Sequence, residues 1–182
     1  MLVIYSILIL FVLIAAGADI ATKKIPNWCL LIIAVSGLSW NCFSAEGMGL
    51  QVSMAGLIAG LLLMLPGYVF ASMGAGDVKF MAAIGSVVGL DAVLNVALDS
   101  YIAILVMAVF FITAKGDLAK LLFRYKAFIL GLFAGKLCYQ KPAPSDAASY
   151  RLPLAPAMAI ATFYVLYPEI CKSGFMGNVC HL

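Results

Sequence analysis

Charge is what this sequence has least of. Only 10% of its 182 residues are Asp, Glu, Lys or Arg, whereas 65% are hydrophobic. A soluble domain carries roughly 25% charged residues. A chain of this length in water needs a largely polar surface, so the deficit excludes a soluble globular protein and makes lipid the solvent for most of it. Metal-ligating side chains are also scarce. There is one histidine, His181 beside the C-terminus, and the five cysteines (Cys29, Cys42, Cys138, Cys171 and Cys180) include no CxxC pair. A structural zinc site takes four ligands in paired spacing, so the composition argues against a metal mechanism. No cofactor and no nucleic-acid partner are expected. The first apolar segment, Leu2 to Ala18, lacks the basic flank of a secretory signal, although Ala16-Gly17-Ala18 resembles a cleavage site. The chain beyond it is just as apolar, so it reads as an uncleaved first helix.

Counting that segment, there are six apolar stretches, near residues 2–18, 28–43, 50–71, 79–95, 99–114 and 152–168. A span takes roughly 17–25 residues, and unpaired amides are costly in hydrocarbon, so each stretch is expected to be helical. The expected fold class is an all-α integral membrane bundle of about six transmembrane helices, one membrane-embedded domain over residues 1–182. Pro66-Gly67 is expected to interrupt and kink the third helix. Ten of the eleven Lys and Arg residues fall on loops 1, 3 and 5: Lys23 and Lys24, then Lys79, then the run from Lys115 to Arg151. Only Lys172 lies on the opposite side. Positive residues stay in the cytoplasm, which puts both termini outside and the odd-numbered loops inside.

Within loop 5, residues 117–139 set Leu118, Leu121, Leu122, Tyr125, Phe128, Ile129, Leu132 and Phe133 beside basic residues. The pattern predicts an amphipathic helix on the anionic cytoplasmic leaflet, and a basic linker is the plainer alternative. Gln140 to Tyr150, with Pro142 and Pro144, reads as a flexible loop. Cys171 and Cys180 share the outer tail, where they can pair as a disulfide or stay free thiols. Cys29, Cys42 and Cys138 read as apolar filler.

Of the eight acidic residues, Glu46, Asp91, Asp99 and Glu169 map to the outer side, and Asp117 and Asp146 to loop 5. The remaining two are Asp19, where the first helix reaches the cytoplasm, and Asp77, where the fourth leaves it. Charge topology alone puts them at one depth on one face. An ionisable side chain at a membrane boundary is a functional candidate. Taken singly, each also has a plain explanation: Asp77 as a helix cap, Asp19 as a polar flank. The surrounding residues shift the balance. In Gly74-Ala75-Gly76-Asp77-Val78-Lys79-Phe80, two glycines bare the backbone directly before a carboxylate, which suits close approach of an extended peptide. Asp19 opens a polar loop, Asp19-Ile20-Ala21-Thr22-Lys23-Lys24, closed by Ile25-Pro26-Asn27.

These elements resemble the bacterial type IV prepilin peptidases: GxGDxK at the start of a transmembrane helix, and an earlier Asp followed by Ile-Pro-Asn. A third match is Leu152-Pro153-Leu154-Ala155-Pro156-Ala157-Met158-Ala159, similar to the family's proline-containing start of its last helix. Phe80 stands where leucine is commoner. The three elements come in the family's order, and the size is similar to that of the short members associated with Flp and tight-adherence pili. The larger members carry a cytoplasmic insert, often with paired cysteines, that N-methylates the product. No such insert is present, so the resemblance implies a peptidase-only form without a methyltransferase domain.

The activity that the resemblance implies is that of an inner-membrane aspartyl endopeptidase with Asp19 and Asp77 as catalytic pair, cleaving leaders from prepilins at the cytoplasmic face. Its substrates would carry an N-terminal hydrophobic helix lying alongside in the bilayer. Two close carboxylates cannot both ionise cheaply and so share a proton. One then acts as base on a water while the other polarises the scissile carbonyl. Gly74, Gly76, Lys79, Pro26 and Asn27 are supporting candidates. Lys79 either meets negative charge or substrate, or is a positive-inside anchor. Pro26 and Asn27 shape the start of the second helix. Lys23 and Lys24 read as topology signals. Three rivals remain. A small ion-coupled transporter would use the acid pair but shows no mid-depth acid and no internal repeat. A scaffold of a secretion machine would leave GxGD as coincidence. Presenilin-like proteases share GxGD but place Tyr before the first aspartate, where Ala18 stands here.

Overall fold

Inside hydrocarbon a chain segment has only itself for hydrogen-bond partners, and the helix is the form that satisfies every amide within one segment. The computed structural model describes residues 2–44, 47–69, 73–114 and 153–172. All regular structure among them is helical: α1 (Leu2–Thr22), α2 (Asn27–Phe43), α3 (Leu50–Val69), α4 (Ala75–Ala114) and α5 (Ala155–Lys172). Three stretches, Val3–Thr22, Leu50–Val69 and Ala75–Phe111, are long and apolar enough to cross a membrane, and Asn27–Phe43 and Ala155–Pro168 are shorter apolar helices. The expected interfacial helix over 117–139, the loop after it and the side chains of Cys171 and Cys180 lie outside the described residues.

Local chemistry explains most helix ends. α1 runs one turn further than its apolar core, because the Thr22 hydroxyl donates to the carbonyls of Ala18 and Lys24 and the Lys23 amide donates to that of Asp19 at 2.8 Å. Lys23 adopts a left-handed φ of 53°, the usual way to end a helix. Asp19 therefore lies within the last turn of α1 rather than beyond it. Pro26 precedes α2 with φ −65° and ψ 124°, since proline's missing N–H is harmless there. Pro66 stands inside α3, which continues past it to Val69, and so does not end that helix. The last helix starts at Ala155 and carries Pro168 inside it.

The fourth and fifth spans, expected at 79–95 and 99–114, are one element, α4, whose break is at Gly89 and not between 95 and 99. Gly89 has φ 79° and ψ −177°, a conformation open essentially to glycine alone. The chain folds back there. A Cβ added at Gly85 would lie 3.1 Å from Cγ2 of Val93, eight residues on, where a straight helix would separate the two by about 12 Å. Both arms then run along α3. Gly56 meets the backbone at Gly85 and Gly89, Gly60 meets Met81, and the Tyr101 hydroxyl donates to the Leu63 carbonyl at 2.6 Å. A Cβ at Gly56 would collide with the Gly85 carbonyl and a Cβ at Gly85 with that of Gly56. Gly56 thus faces the GxxxG spacing of Gly85 and Gly89, and Gly60 the backbone at Met81 and Ala82, the small-residue contact that lets membrane helices touch backbone to backbone.

The last turn of a helix leaves its carbonyls without partners, and at this break side chains from elsewhere supply them. Ser53 Oγ donates to the Ser86 carbonyl at 2.5 Å, and Asn41 Nδ2 to those of Ser86 and Val87 at 3.0 and 3.3 Å. Asn41 Oδ1 accepts the Met48 amide at 3.2 Å.

The chain divides into two compact units, Met1–Ile104 with Pro153–Leu182, and Leu105–Leu152. The described part of the second is the end of α4, residues 105–114. In the first, α1 packs along α5 and α2, and α2 along α3. The first arm of α4 is innermost, with residues 80–89 all buried. α1 buries Ile4, Leu8, Val12 and Ala15, and α5 buries Ala155, Met158, Thr162 and Leu166, each a stripe at helical spacing. Leu10, Leu13, Leu62 and Ile102 are left exposed, as lipid-facing side chains would be.

Candidate active site

Asp19 continues the buried stripe of α1, one turn past Ala15, and is only 6% exposed. A carboxylate at that position has the negative end of its own helix behind it. What offsets this is α5: the amide of Ala155, its first residue and fully buried, donates to Asp19 Oδ2 at 3.0 Å. An amide in the first turn has no acceptor within its helix, and the positive end of α5 favours an anion.

Asp77 is the third residue of α4 and 8% exposed. Its Oδ2 accepts the Gly74 amide at 2.9 Å, while its own amide donates to the Gly74 carbonyl at 3.1 Å. This is the acid half of a capping box, with Gly74 at the cap and the acid three residues on, closed by a main-chain turn instead of a cap side chain. Asp77 therefore does cap α4, from within the first turn, and it is also buried at the positive end of that helix. A carboxylate that serves only as a cap has no need of such burial, since charge out of water is costly without compensation. Directly behind it Val78, Phe80 and Met81 are buried, so the turn is anchored to the core.

The two aspartates belong to the same end of their unit. Ile25, in the connection after α1, packs against the core and lies over Gly76: a Cβ there would sit 3.7 Å from that of Ile25. The segment leaving Asp19 thus reaches the turn before Asp77, and the start of α5 closes on Asp19. The glycines differ in what they leave room for. A Cβ at Gly74 would come within 3.2 Å of Asp77 Oδ2, whereas at Gly76 it would make only ordinary contacts. Among the described residues no other carboxylate is buried, Asp91 being exposed and Asp99 half-buried.

The remaining candidates stand around this end without joining it so closely. Lys23, Lys24, Lys79 and Asn27 are exposed, and Pro26 is half-buried. Pro26 and Asn27 shape the start of α2, where Trp28 meets Phe11 of α1 edge-on at 6.4 Å. Sequence reasoning missed the roles of Ile25 and of the Ala155 amide. Both lie in segments that the sequence marks, Ile25-Pro26-Asn27 and Leu152 to Ala159, but a packing contact and a main-chain donor 136 residues from its acceptor cannot be read from either motif.

The arrangement offers two buried carboxylates on separate helices, each held by a main-chain donor. A family model described as the type IV leader peptidase family matches residues 6–114, more than half of the chain. The matched stretch contains both aspartates and stops short of Ala155. Neither a curated protein nor a solved structure matches the chain.

Proposed function

The chain belongs to the type IV leader peptidase family, and on that premise we propose that it is a membrane aspartyl endopeptidase using Asp19 and Asp77 to remove leader peptides from type IV prepilins and pilin-like proteins. The observation that carries the choice of residues is their burial at one end of the unit, each carboxylate held by a backbone amide. The GxGD segment supplies one of the pair and the α1 terminus the other.

In the proposed reaction the pair shares one proton. The ionised member takes a proton from a water, whose oxygen adds to the scissile carbonyl carbon. The protonated member hydrogen-bonds to the carbonyl oxygen as negative charge develops on it. Collapse of the tetrahedral species breaks the C–N bond, and the leaving amine receives a proton from the pair. The scheme needs no metal and no covalent intermediate. Which aspartate starts as base is a property of the coupled pair rather than of either residue.

The site is proposed to face the cytoplasm from the inner membrane, with both termini outside. Lys23 and Lys24 directly after α1 and Lys79 beside Asp77 support that orientation. The substrate's hydrophobic helix would lie in the bilayer against the bundle. The test is leader cleavage of a co-expressed prepilin by wild type, Asp19→Asn and Asp77→Asn at matched membrane levels. Either substitution alone is expected to abolish processing. Undiminished cleavage by both variants would leave Asp77 a helix cap and Asp19 a buried flank, and would remove these residues from the reaction.

A further inference from the structure

We propose that the main-chain amide of Ala155 is a positioning group for the Asp19 carboxylate, so that cleavage requires the last helix to be docked on α1. The proposal rests on the reading of Asp19 as catalytic and goes beyond it, to a donor outside the stretch that the family match covers.

Three observations carry it. Asp19 is buried at the wrong end of its own helix dipole, where an anion is disfavoured, and the amide of Ala155 meets it from the favourable end of another helix at 3.0 Å. That amide belongs to the first residue of α5, so its hydrogen is not shared with a helical carbonyl. Finally, the contact is locked laterally. Asp19 and Ala155 each extend a buried stripe, Ile4-Leu8-Val12-Ala15 on α1 and Met158-Thr162-Leu166 on α5, so the docking of these stripes sets where the donor stands. With Oδ2 committed to Ala155, Oδ1 is the oxygen left to receive the proton of a water or to share one with Asp77. A hydrogen bond that fixes which oxygen faces the reaction acts on the chemical step more than on substrate capture.

The experiment removes the hydrogen bond without adding an atom. Lactic acid replaces Ala155 by nonsense suppression, turning the amide into an ester, and the full-length protein is assayed in detergent on a purified prepilin. An ester at Ala157 is the control for weakening the start of α5, and Ala155→Gly keeps the N–H. The ester at 155 is expected to lower kcat about tenfold to a hundredfold, the value of a hydrogen bond to a charged group. KM should stay within about twofold, and the ester at 157 and Ala155→Gly should stay near wild type. Wild-type kcat for the ester at 155, a loss confined to KM, or equal losses for both esters would overturn the positioning role. The peptidase reading is judged separately by Asp19→Asn in the same assay: full activity there removes both ideas. A dead Asp19→Asn beside a fully active ester at 155 removes only this one.

Discussion

Gly74→Ala and Gly76→Ala, two residues apart in the same turn, should fail in different ways. At Gly74 a new Cβ would stand 3.2 Å from Asp77 Oδ2, a few tenths of an ångström inside ordinary contact. The neighbour that must yield is the carboxylate itself, already tied back to the Gly74 amide at 2.9 Å. Since about 1 Å of misplacement costs on the order of a hundredfold in rate, a few tenths should cost about threefold to tenfold in kcat. Substrate capture should be little changed. At Gly76 the nearest atoms are those of Ile25, 3.7 to 3.9 Å away, so the folded protein has room for the methyl. Any penalty must then come from the peptide that approaches this backbone, and it should appear as a raised KM with kcat nearly intact. The assay is initial-rate leader cleavage across a range of prepilin concentrations, with thermal unfolding in the same detergent as a check on folding. Wild-type kcat for Gly74→Ala together with a kcat loss for Gly76→Ala would refute the reasoning, because it would mean that the methyl's distance from the carboxylate does not govern the chemistry.

Two further outcomes concern the frame behind the site. Gly56→Ala drives a methyl into the Gly85 carbonyl and to within 2.9 Å of the Gly89 Cα, and should cost about 1–3 kcal/mol as overpacking. Gly17→Ala meets nothing within 4 Å and should be neutral or stabilising by roughly 0.5–1 kcal/mol; thermal melts that rank the two the other way would contradict the packing. Asn41→Leu keeps the bulk of the side chain but removes its donors to the Ser86 and Val87 carbonyls, and should lose about 1–3 kcal/mol for the polar groups left behind. Denaturant titration reads this directly, and an unchanged midpoint would show that the break at Gly89 does not rely on that side chain.

Much of this was legible in the sequence because hydrocarbon leaves few choices. Long apolar runs become helices, and the sorting of Lys and Arg by loop is enough to single out Asp19 and Asp77. Burial of both at one end agrees with that sorting. Where reading by composition failed, the determinant was conformational or distant. Residues 79–114 are apolar almost throughout, and Asp91, Asn95 and Asp99 invite a break after 95. The chain turns instead at Gly89, where a glycine-only backbone is stabilised by Asn41 and Ser53 from two other helices. The spacing of Gly56 with Gly60 and of Gly85 with Gly89 was a usable signal for that contact. The Leu152 to Ala159 element marked the segment around Ala155 but not its role, because the residue matters through an atom that every amino acid except proline possesses.

The fold-back at Gly89 also makes the first arm of α4 a lever. Asp77 lies twelve residues from Gly89, about 18 Å along the helix. At that far end Gly56 and Gly85 touch backbone to backbone, and Asn41 and Ser53 hold the break. A rotation of about 5° about that point would swing the carboxylate end through roughly 1.5 Å. A loosening of the contact at Gly56, or of its Asn41 and Ser53 anchors, would thus be magnified at a carboxylate a whole helix arm away.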